Sequence, residues 1–141
     1  MSTIVTRSVK GSPLTHTERD TNFNNLNADK AGYVTGEGVA VTQATSRTTT
    51  VVANKKCGQI TLFSATTTAG QVSVFTVTNS TVAATDVVTI CHSSAGTAGA
   101  YIVYATVVAS GSFQVAVYTP AAQGVAAAPV LNFAVIKAAA A

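Results

Sequence analysis

The sequence predicts an all-β domain, an antiparallel β-sandwich or jelly roll of seven or eight strands, preceded by an extended arm and one short helix. After residue 37, short runs rich in Val, Ile, Thr, Phe and Tyr recur at even spacing, separated by Gly, Ser and Asn. This pattern is typical of sandwiches and jelly rolls. Before residue 37, one segment carries helix start and stop signals. We therefore predict an arm and helix over 1–36 and a β-domain over 37–141.

The N-terminal segment is predicted to be an extended arm over residues 4–9 and then a helix. Thr15 is a good N-cap, Glu18 three residues later completes a capping box, and Gly32 supplies a C-terminal stop. The helix has one thin apolar stripe, so it cannot form a core alone and must dock on the β-domain or on a partner. The candidate interface residues of this segment are Leu14, Arg19, Phe23, Leu26 and Tyr33.

The strands are predicted from runs of β-branched and aromatic residues, which suit a pleated and half-buried surface. The runs cover residues 48–53, 59–64, 72–78, 87–91, 101–108, 112–118 and 130–136. Ser110 and Gly111 predict a tight turn between two strands. The small residues of 93–99 predict a loop with a hairpin turn at 96–99, and 120–129 predict an Ala-rich loop.

Charged residues are almost absent from the predicted β-domain. Between residues 38 and 136 they are Arg47, Lys55, Lys56 and Asp86. The surface of a free monomer is normally about a quarter to a third charged. The polar residues of the strands are instead Thr, Ser, Gln and Asn, which can be covered without the desolvation cost of a buried charge. We therefore expect a surface that is covered by copies of the chain or by another assembly.

The composition argues against several other classes of protein. The net charge of +3 is not gathered into a basic stripe with aromatic platforms, so we expect no direct nucleic-acid partner. No run approaches the roughly 20 apolar residues of a spanning helix, and the first residues lack a signal-peptide core, so we expect neither a membrane partner nor secretion. Cys57 and Cys91 match no redox or zinc motif. They are either reduced or joined across neighbouring strands.

The sequence offers no convincing catalytic or metal-binding pattern. His92, Asp86 and a neighbouring serine could suggest a triad, but they lie within one strand and its loop, which gives no reason for them to converge. His16 and Glu18 could ligate a metal only with partners that the sequence does not supply. We therefore expect no enzyme, no catalytic residues, no metal ligands and no cofactor.

Two parts of the chain resemble bacteriophage virion proteins. Residues 11–26, GSPLTHTERDTNFNNL, resemble a segment near the start of tailed-phage virion proteins, which is common in tail fibres and related appendages. Its pattern is roughly G-x-P-L-T-x-x-E-x-D-x-N-F-x-N-L. Residues 76–88 and 132–137 resemble parts of β-domains from phage structural proteins, including head-decoration (cement) proteins.

The resemblance implies a capsid decoration protein, made in the host cytoplasm, that binds the capsid exterior of the virion. Its partners would be the major capsid protein and itself, as a dimer or a trimer. A tail fibre usually continues into a long shaft and a receptor-binding tip, whereas this sequence carries one compact domain, which favours the capsid. The alternative is a short tail-fibre or fibre-adaptor protein that binds glycans through Tyr and Asn of its loops. The resemblance implies no catalytic residues.

Overall fold

The structure, a computed structural model, describes residues 11–28 and 36–138. The chain divides into two compact units, Met1–Glu37 and Gly38–Ala141. In the first unit, helix α1 spans His16–Ala28, and its side chains are described as far as residue 24. The extended arm predicted over 4–9 lies outside the described residues.

The second unit is built from strands, ten of them within the described residues. In chain order they are β1 (Gly38–Thr42), β2 (Val51–Val52), β3 (Cys57–Thr61), β4 (Ala65–Thr67), β5 (Gln71–Thr78), β6 (Val87–Ser94), β7 (Ile102–Ala109), β8 (Ser112–Thr119), β9 (Gln123–Ala127) and β10 (Val130–Ile136). The five longest strands, β5 to β8 and β10, lie where the β-branched and aromatic runs predict them. The unit is therefore all-β, as the sequence predicts.

The strands form two four-stranded sheets and a two-stranded ribbon. The first sheet has the order β1-β3-β10-β6, the second has the order β2-β5-β8-β7, and β4 pairs with β9 in the ribbon. The pairs β1–β3 and β2–β5 are parallel, and the other described pairs are antiparallel. The prediction of seven or eight strands, all antiparallel, was therefore wrong. The three additional strands, β1, β4 and β9, have three to five residues, too few for a clear period-2 pattern.

One hydrophobic core lies between the two sheets. Alternate residues of β8 and β10 point into it, because side chains alternate between the two faces of a strand. The rings of Phe113 on β8 and Phe133 on β10 meet there, with centroids 5.6 Å apart. The largest other buried apolar side chains are Ile60, Leu62, Phe75, Val77, Val115, Val117, Leu131 and Val135. The sheets are thus joined by apolar packing across their inner faces.

The connection from β6 to β7 crosses between the sheets. The sequence predicts a hairpin turn at 96–99, but β6 belongs to the first sheet and β7 to the second, so that prediction was wrong. Gly96 has φ of +89°, and a Cβ there would lie 2.7 Å from Cε2 of the buried Tyr101. The tight turn predicted at Ser110 and Gly111 is confirmed, because β7 and β8 are paired neighbours and Gly111 has φ of +81°.

The two cysteines are not joined by a disulfide. Cys57 lies on β3 and Cys91 on β6, and both strands pair with β10, which separates them. Two strand spacings amount to about 9.5 Å, which exceeds the Cα separation of about 7 Å that a disulfide can span. Of the two alternatives that the sequence left open, the structure therefore supports reduced thiols.

Candidate functional site

The strands of the second unit carry no charge. None of the ten strands within the described residues contains Asp, Glu, Lys or Arg. The charged residues described in this unit all lie in the connections or after the last strand; they are Arg47, Lys55, Lys56, Asp86 and Lys137. Both sheets therefore present outer faces that a partner could cover without desolvating a charged strand residue.

The outer face of the second sheet combines this lack of charge with exposed apolar side chains. On β5, alternate residues enter the core, which leaves Val72 and Val74 outward with 52% and 41% of their surface exposed. On β7, Ile102 and Tyr104 are exposed to 52% and 47%. Single exposed apolar residues are normal on a soluble protein, but a contiguous group of them marks an interaction surface.

The strand register makes these residues contiguous across β5, β8 and β7. Val72 pairs with Tyr118, which pairs with Ile102. In the next outward row, Val74 pairs with Ala116, which pairs with Tyr104. We call this group the apolar face: the exposed Val72, Val74, Ile102 and Tyr104, the half-buried Tyr118, and Ala116, which is only 1% exposed between Val74 and Tyr104.

The dimensions of the second sheet limit how strong a contact through the apolar face can be. Strands β5, β7 and β8 each have eight residues. At standard strand spacings, three such strands span about 27 Å by 14 Å, or roughly 400 Å². A stable two-protein interface buries about 800 Å² on each partner. The apolar face therefore suits an assembly in which several small contacts act together.

The outer face of the first sheet is also uncharged, and most of its side chains are small or polar. Its outward residues are Ala40, Thr42, Cys57, Gln59, Thr61, Val87, Thr89, Cys91, Val130, Asn132, Ala134 and Ile136. Val87 and Ile136 form an exposed apolar pair at one end of this face, with 53% and 55% of their surface exposed. A shallow cavity of about 180 Å³ lies beside Thr89, Cys91 and Asn132. The Oδ1 atom of Asn132 is buried and has no hydrogen-bond partner among the described residues. This face suits close packing by a neighbour more than it suits a shaped ligand.

Helix α1 begins as the sequence predicts. The carboxylate of Glu18 accepts hydrogen bonds from the amide and the hydroxyl of Thr15, at 2.8 and 2.9 Å, and the Glu18 amide donates to the Thr15 hydroxyl at 3.2 Å. The capping box is therefore confirmed. The helix has 13 residues. Within the described part of the chain, no helix is long and apolar enough to cross a membrane.

The predicted interface residues of the first unit have different outcomes. Phe23 is 78% exposed, Arg19 is exposed and Leu14 is half-buried. The side chain of Leu26 and the whole of Tyr33 lie outside the described residues. The exposure of Phe23 is consistent with a role as an apolar anchor, and the assignment of these five residues to an interface stays a prediction.

The residues considered for catalysis are not brought together. Nε2 of His92 lies 3.1 Å from the carbonyl oxygen of Ser94 and 2.6 Å from that of Ala95, so this nitrogen donates to the backbone of its own loop. Asp86 precedes β6 whereas His92 lies near its end, six residues and about 20 Å along the strand. Among the described residues, no three His, Cys, Asp or Glu side chains are grouped to hold a metal.

Asp86 instead connects the start of β6 to the residues after β10. Its carboxylate accepts a hydrogen bond from the Ala83 amide at 2.7 Å and one from the Lys137 ammonium group. The Ala138 amide donates to the other carboxylate oxygen at 3.3 Å. The Ala83 amide, and after it Lys137, lower the pKa of Asp86, because both stabilise the ionised carboxylate.

Comparison with protein-family models, curated proteins and solved structures found no match to this chain.

Sequence reasoning did not identify the apolar face, because its residues lie in the runs 72–78, 101–108 and 112–118, which were interpreted only as strands. The signal was available in β5, whose sequence QVSVFTVT places Val72 and Val74 on the face opposite to Phe75 and Val77. Both faces of β5 are apolar, so a water-facing outer side would be unusual.

Proposed function

We propose that this protein is a structural component of a virion, which binds the outer surface of a phage capsid and cements capsomers as a homo-oligomer. The partners are the major capsid protein and further copies of the chain. The mechanism is mechanical, because each additional interface that forms only in the folded assembly stabilises it by mass action.

The observation that carries the proposal is the apolar face together with strands that have no charged residue. A soluble monomer would need a charged surface for solubility, and an enzyme would need titratable groups that converge on a cleft. An assembly subunit needs faces that can be covered at small desolvation cost. The sequence of residues 11–26 supports the placement in a virion, because it resembles the start of tailed-phage virion proteins.

The jelly-roll assignment is part of the same proposal. The strands change sheets along the chain: β3 lies in the first sheet, β5 in the second, β6 in the first, the β7–β8 hairpin in the second, and β10 in the first. A jelly roll distributes its strands between two facing sheets in this manner. The crossing at 95–101 supports the assignment, and the two parallel edge pairings depart from it.

Self-association of the purified chain tests the apolar face. We expect sedimentation velocity over a concentration series to show an oligomer for the native protein. Val74→Lys should weaken association about tenfold or more, because a lysine at the contact must be desolvated without a partner charge. Val125→Lys is the matched control, because Val125 is 81% exposed on β9, outside the apolar face.

Both variants should keep the native circular dichroism spectrum, because both side chains are exposed. A native protein that stays monomeric at every concentration, or equal association of the two variants, would contradict the oligomer.

Location on the particle is a separate test. Immunogold labelling of virions should mark the capsid, and quantitative mass spectrometry should find many copies per particle. Label at the tail in low copy would instead favour the fibre or fibre-adaptor alternative.

A further inference from the structure

Arg47 is a buried cation in the connection between β1 and β2, with 6% of its surface exposed. Its Nε donates to the carbonyl oxygen of Phe63 at 3.2 Å. Its Nη2 donates to the carbonyl oxygens of Ala65 and Ala127 at 3.0 and 2.9 Å. Ala65 and Ala127 are paired across β4 and β9, so the guanidinium joins both strands of the ribbon to its own loop.

The charge of Arg47 has no counter-ion in the described part of the chain. Its guanidinium carbon lies 5.1 Å from the ring centroid of Tyr101, which gives a cation–π contact. All its hydrogen bonds go to neutral oxygen atoms. A buried charge without an opposite charge is costly, and an Arg side chain remains protonated in proteins. This environment therefore favours the approach of an anion.

Two polar groups at Arg47 and on β4 are left without a partner. The Nη1 atom of Arg47 has two N–H groups, is buried, and makes no hydrogen bond within the described residues. The Oγ1 atom of Thr67 is also buried and makes no hydrogen bond within the described residues, and Thr67 as a whole is 6% exposed. Buried polar groups in native proteins normally have a partner. Two orphan groups in one region therefore indicate a ligand position.

Arg47 and Thr67 line the same cavity, which has a volume of about 250 Å³. Its other lining residues include Ser46, Thr48, Phe63 and Ser73. The lining therefore combines hydroxyl groups and one cation with an aromatic residue. The volume is below the range of about 300 to 1,000 Å³ that drug-sized ligands occupy, so the cavity suits a group the size of a side chain.

The buried side chain of Gln43, which is 2% exposed, holds the loop that carries Arg47 in place. The side-chain amide of Gln43 donates to the carbonyl oxygens of Arg47 and Thr49, at 3.1 and 3.0 Å. Its Oε1 accepts the Phe63 amide at 3.1 Å. Hydrogen bonds thus fix both the backbone and the guanidinium group of Arg47. A ligand that binds this side chain would therefore cost little conformational entropy.

We propose that this cavity binds a carboxylate group. A carboxylate only accepts hydrogen bonds, so it complements the Nη1 donors of Arg47 and the hydroxyl of Thr67. Its single negative charge neutralises the single positive charge, whereas a dianion would leave a buried negative charge unpaired. The carboxylate comes either from a free small molecule or from an acidic side chain of a partner protein.

The test is titration of the isotope-labelled full chain, followed by amide chemical shifts around Arg47 and Thr67. The probes are sodium acetate, for a free carboxylate, and N-acetyl-glutamate amide, for a side chain. Sodium chloride at equal ionic strength is the reference. We expect saturable shifts with a carboxylate and none with chloride. Binding of acetate alone assigns the site to small free carboxylates, and binding of both probes assigns it to an acidic side chain as well.

Thr67→Val keeps the shape of the side chain and removes the hydroxyl. Because the hydroxyl makes no hydrogen bond to the described protein, the variant should melt no lower than the native protein without ligand, but bind the carboxylate about tenfold more weakly. Thr68→Val is the matched control, because Thr68 is exposed and is not among the lining residues. No saturable shift with either probe, or equal affinity in Thr67→Val and Thr68→Val, would overturn the proposal.

Discussion

Replacement of Asn79 by Ala should be among the more destabilising single substitutions in the β-domain. Asn79 follows β5 directly and is fully buried. Its Nδ2 donates to the carbonyl oxygen of Lys55 at 2.7 Å. Its Oδ1 accepts the Thr81 amide at 2.9 Å and the Thr81 hydroxyl at 2.7 Å. One side chain thus joins the turn after β5 to the loop before β3.

The magnitude follows from the groups that lose their partner. Asn79→Ala leaves one carbonyl, one amide and one hydroxyl without a hydrogen bond, and each such buried group costs about 1 to 3 kcal/mol. Lys55 and Thr81 are half-buried, so water replaces part of the loss and the lower value applies. The total is then about 3 kcal/mol, a large fraction of the roughly 5 to 15 kcal/mol by which a domain is stable.

Urea unfolding followed by circular dichroism measures this loss as a change in the free energy of unfolding. Asn54→Ala is the matched control, because Asn54 is an exposed amide in the neighbouring loop that accepts one hydrogen bond, from the Ser80 amide at 2.9 Å. The control should lose about 0.5 kcal/mol. Equal losses in the two variants would refute the reasoning, because burial and the number of bonds would then not decide the cost.

Three further predictions concern strand β1, the loss of stability at acid pH, and helix α1. Gly58→Ala should destabilise the domain by about 1 to 3 kcal/mol, because a Cβ at Gly58 would lie 2.2 Å from the carbonyl oxygen of Val39; hydrogen exchange should show β1 opening first. Because the pKa of Asp86 is lowered on folding, its stabilising effect is complete above the unfolded-state value of about 3.9 and is lost as the pH falls through the folded-state value. Asp86→Asn should therefore lower the free energy of unfolding at pH 7 and reduce its loss at acid pH, as measured by urea unfolding at several pH values. If the variant loses stability at acid pH as the native protein does, other carboxylates are responsible for that loss. Thr15→Ala should destabilise helix α1 by about 1 kcal/mol, seen as faster amide exchange in its first turn, with unchanged exchange in the β-domain as the internal control.

The long strands and the helix start were predictable because their signals are local. The run at 112–118 alternates over seven residues, the run at 72–78 is rich in β-branched residues, and β8 and β5 follow these runs to within one residue. The capping box of Thr15 and Glu18 depends on residues three positions apart, and the structure forms it as predicted. Each signal lies within a few residues, so no knowledge of distant contacts was needed.

The short strands were not predictable in the same way. β9 lies in the sequence QGVAA, which has weak strand propensity, and it forms because it pairs with β4 more than fifty residues earlier. β1 pairs in parallel with β3, and the contact depends on Gly58, whose lack of a side chain admits Val39. These elements depend on long-range partners, which a propensity for local structure does not contain.

The candidate sites were also predictable only in part from the sequence. The lack of charge on the strands is visible in the sequence, and it alone predicts surfaces that are meant to be covered. Which residues form the apolar face depends on the register that aligns Val74, Ala116 and Tyr104 across three strands. A one-residue shift in that register would move a whole strand's outer residues to the other side.

Composition and local pattern therefore determined an all-β domain with few charged residues, preceded by a capped helix, because these properties depend on residue type and near neighbours. Tertiary structure alone decided which strands share a sheet, which face is apolar, and where Arg47 lies. In the sequence Arg47 is one isolated cation among threonines. Only folding brings its guanidinium into hydrogen-bond contact with β4 and β9 and places Thr67 beside the same cavity. The physical reason is that burial and hydrogen-bond partners are set by contacts between distant parts of the chain.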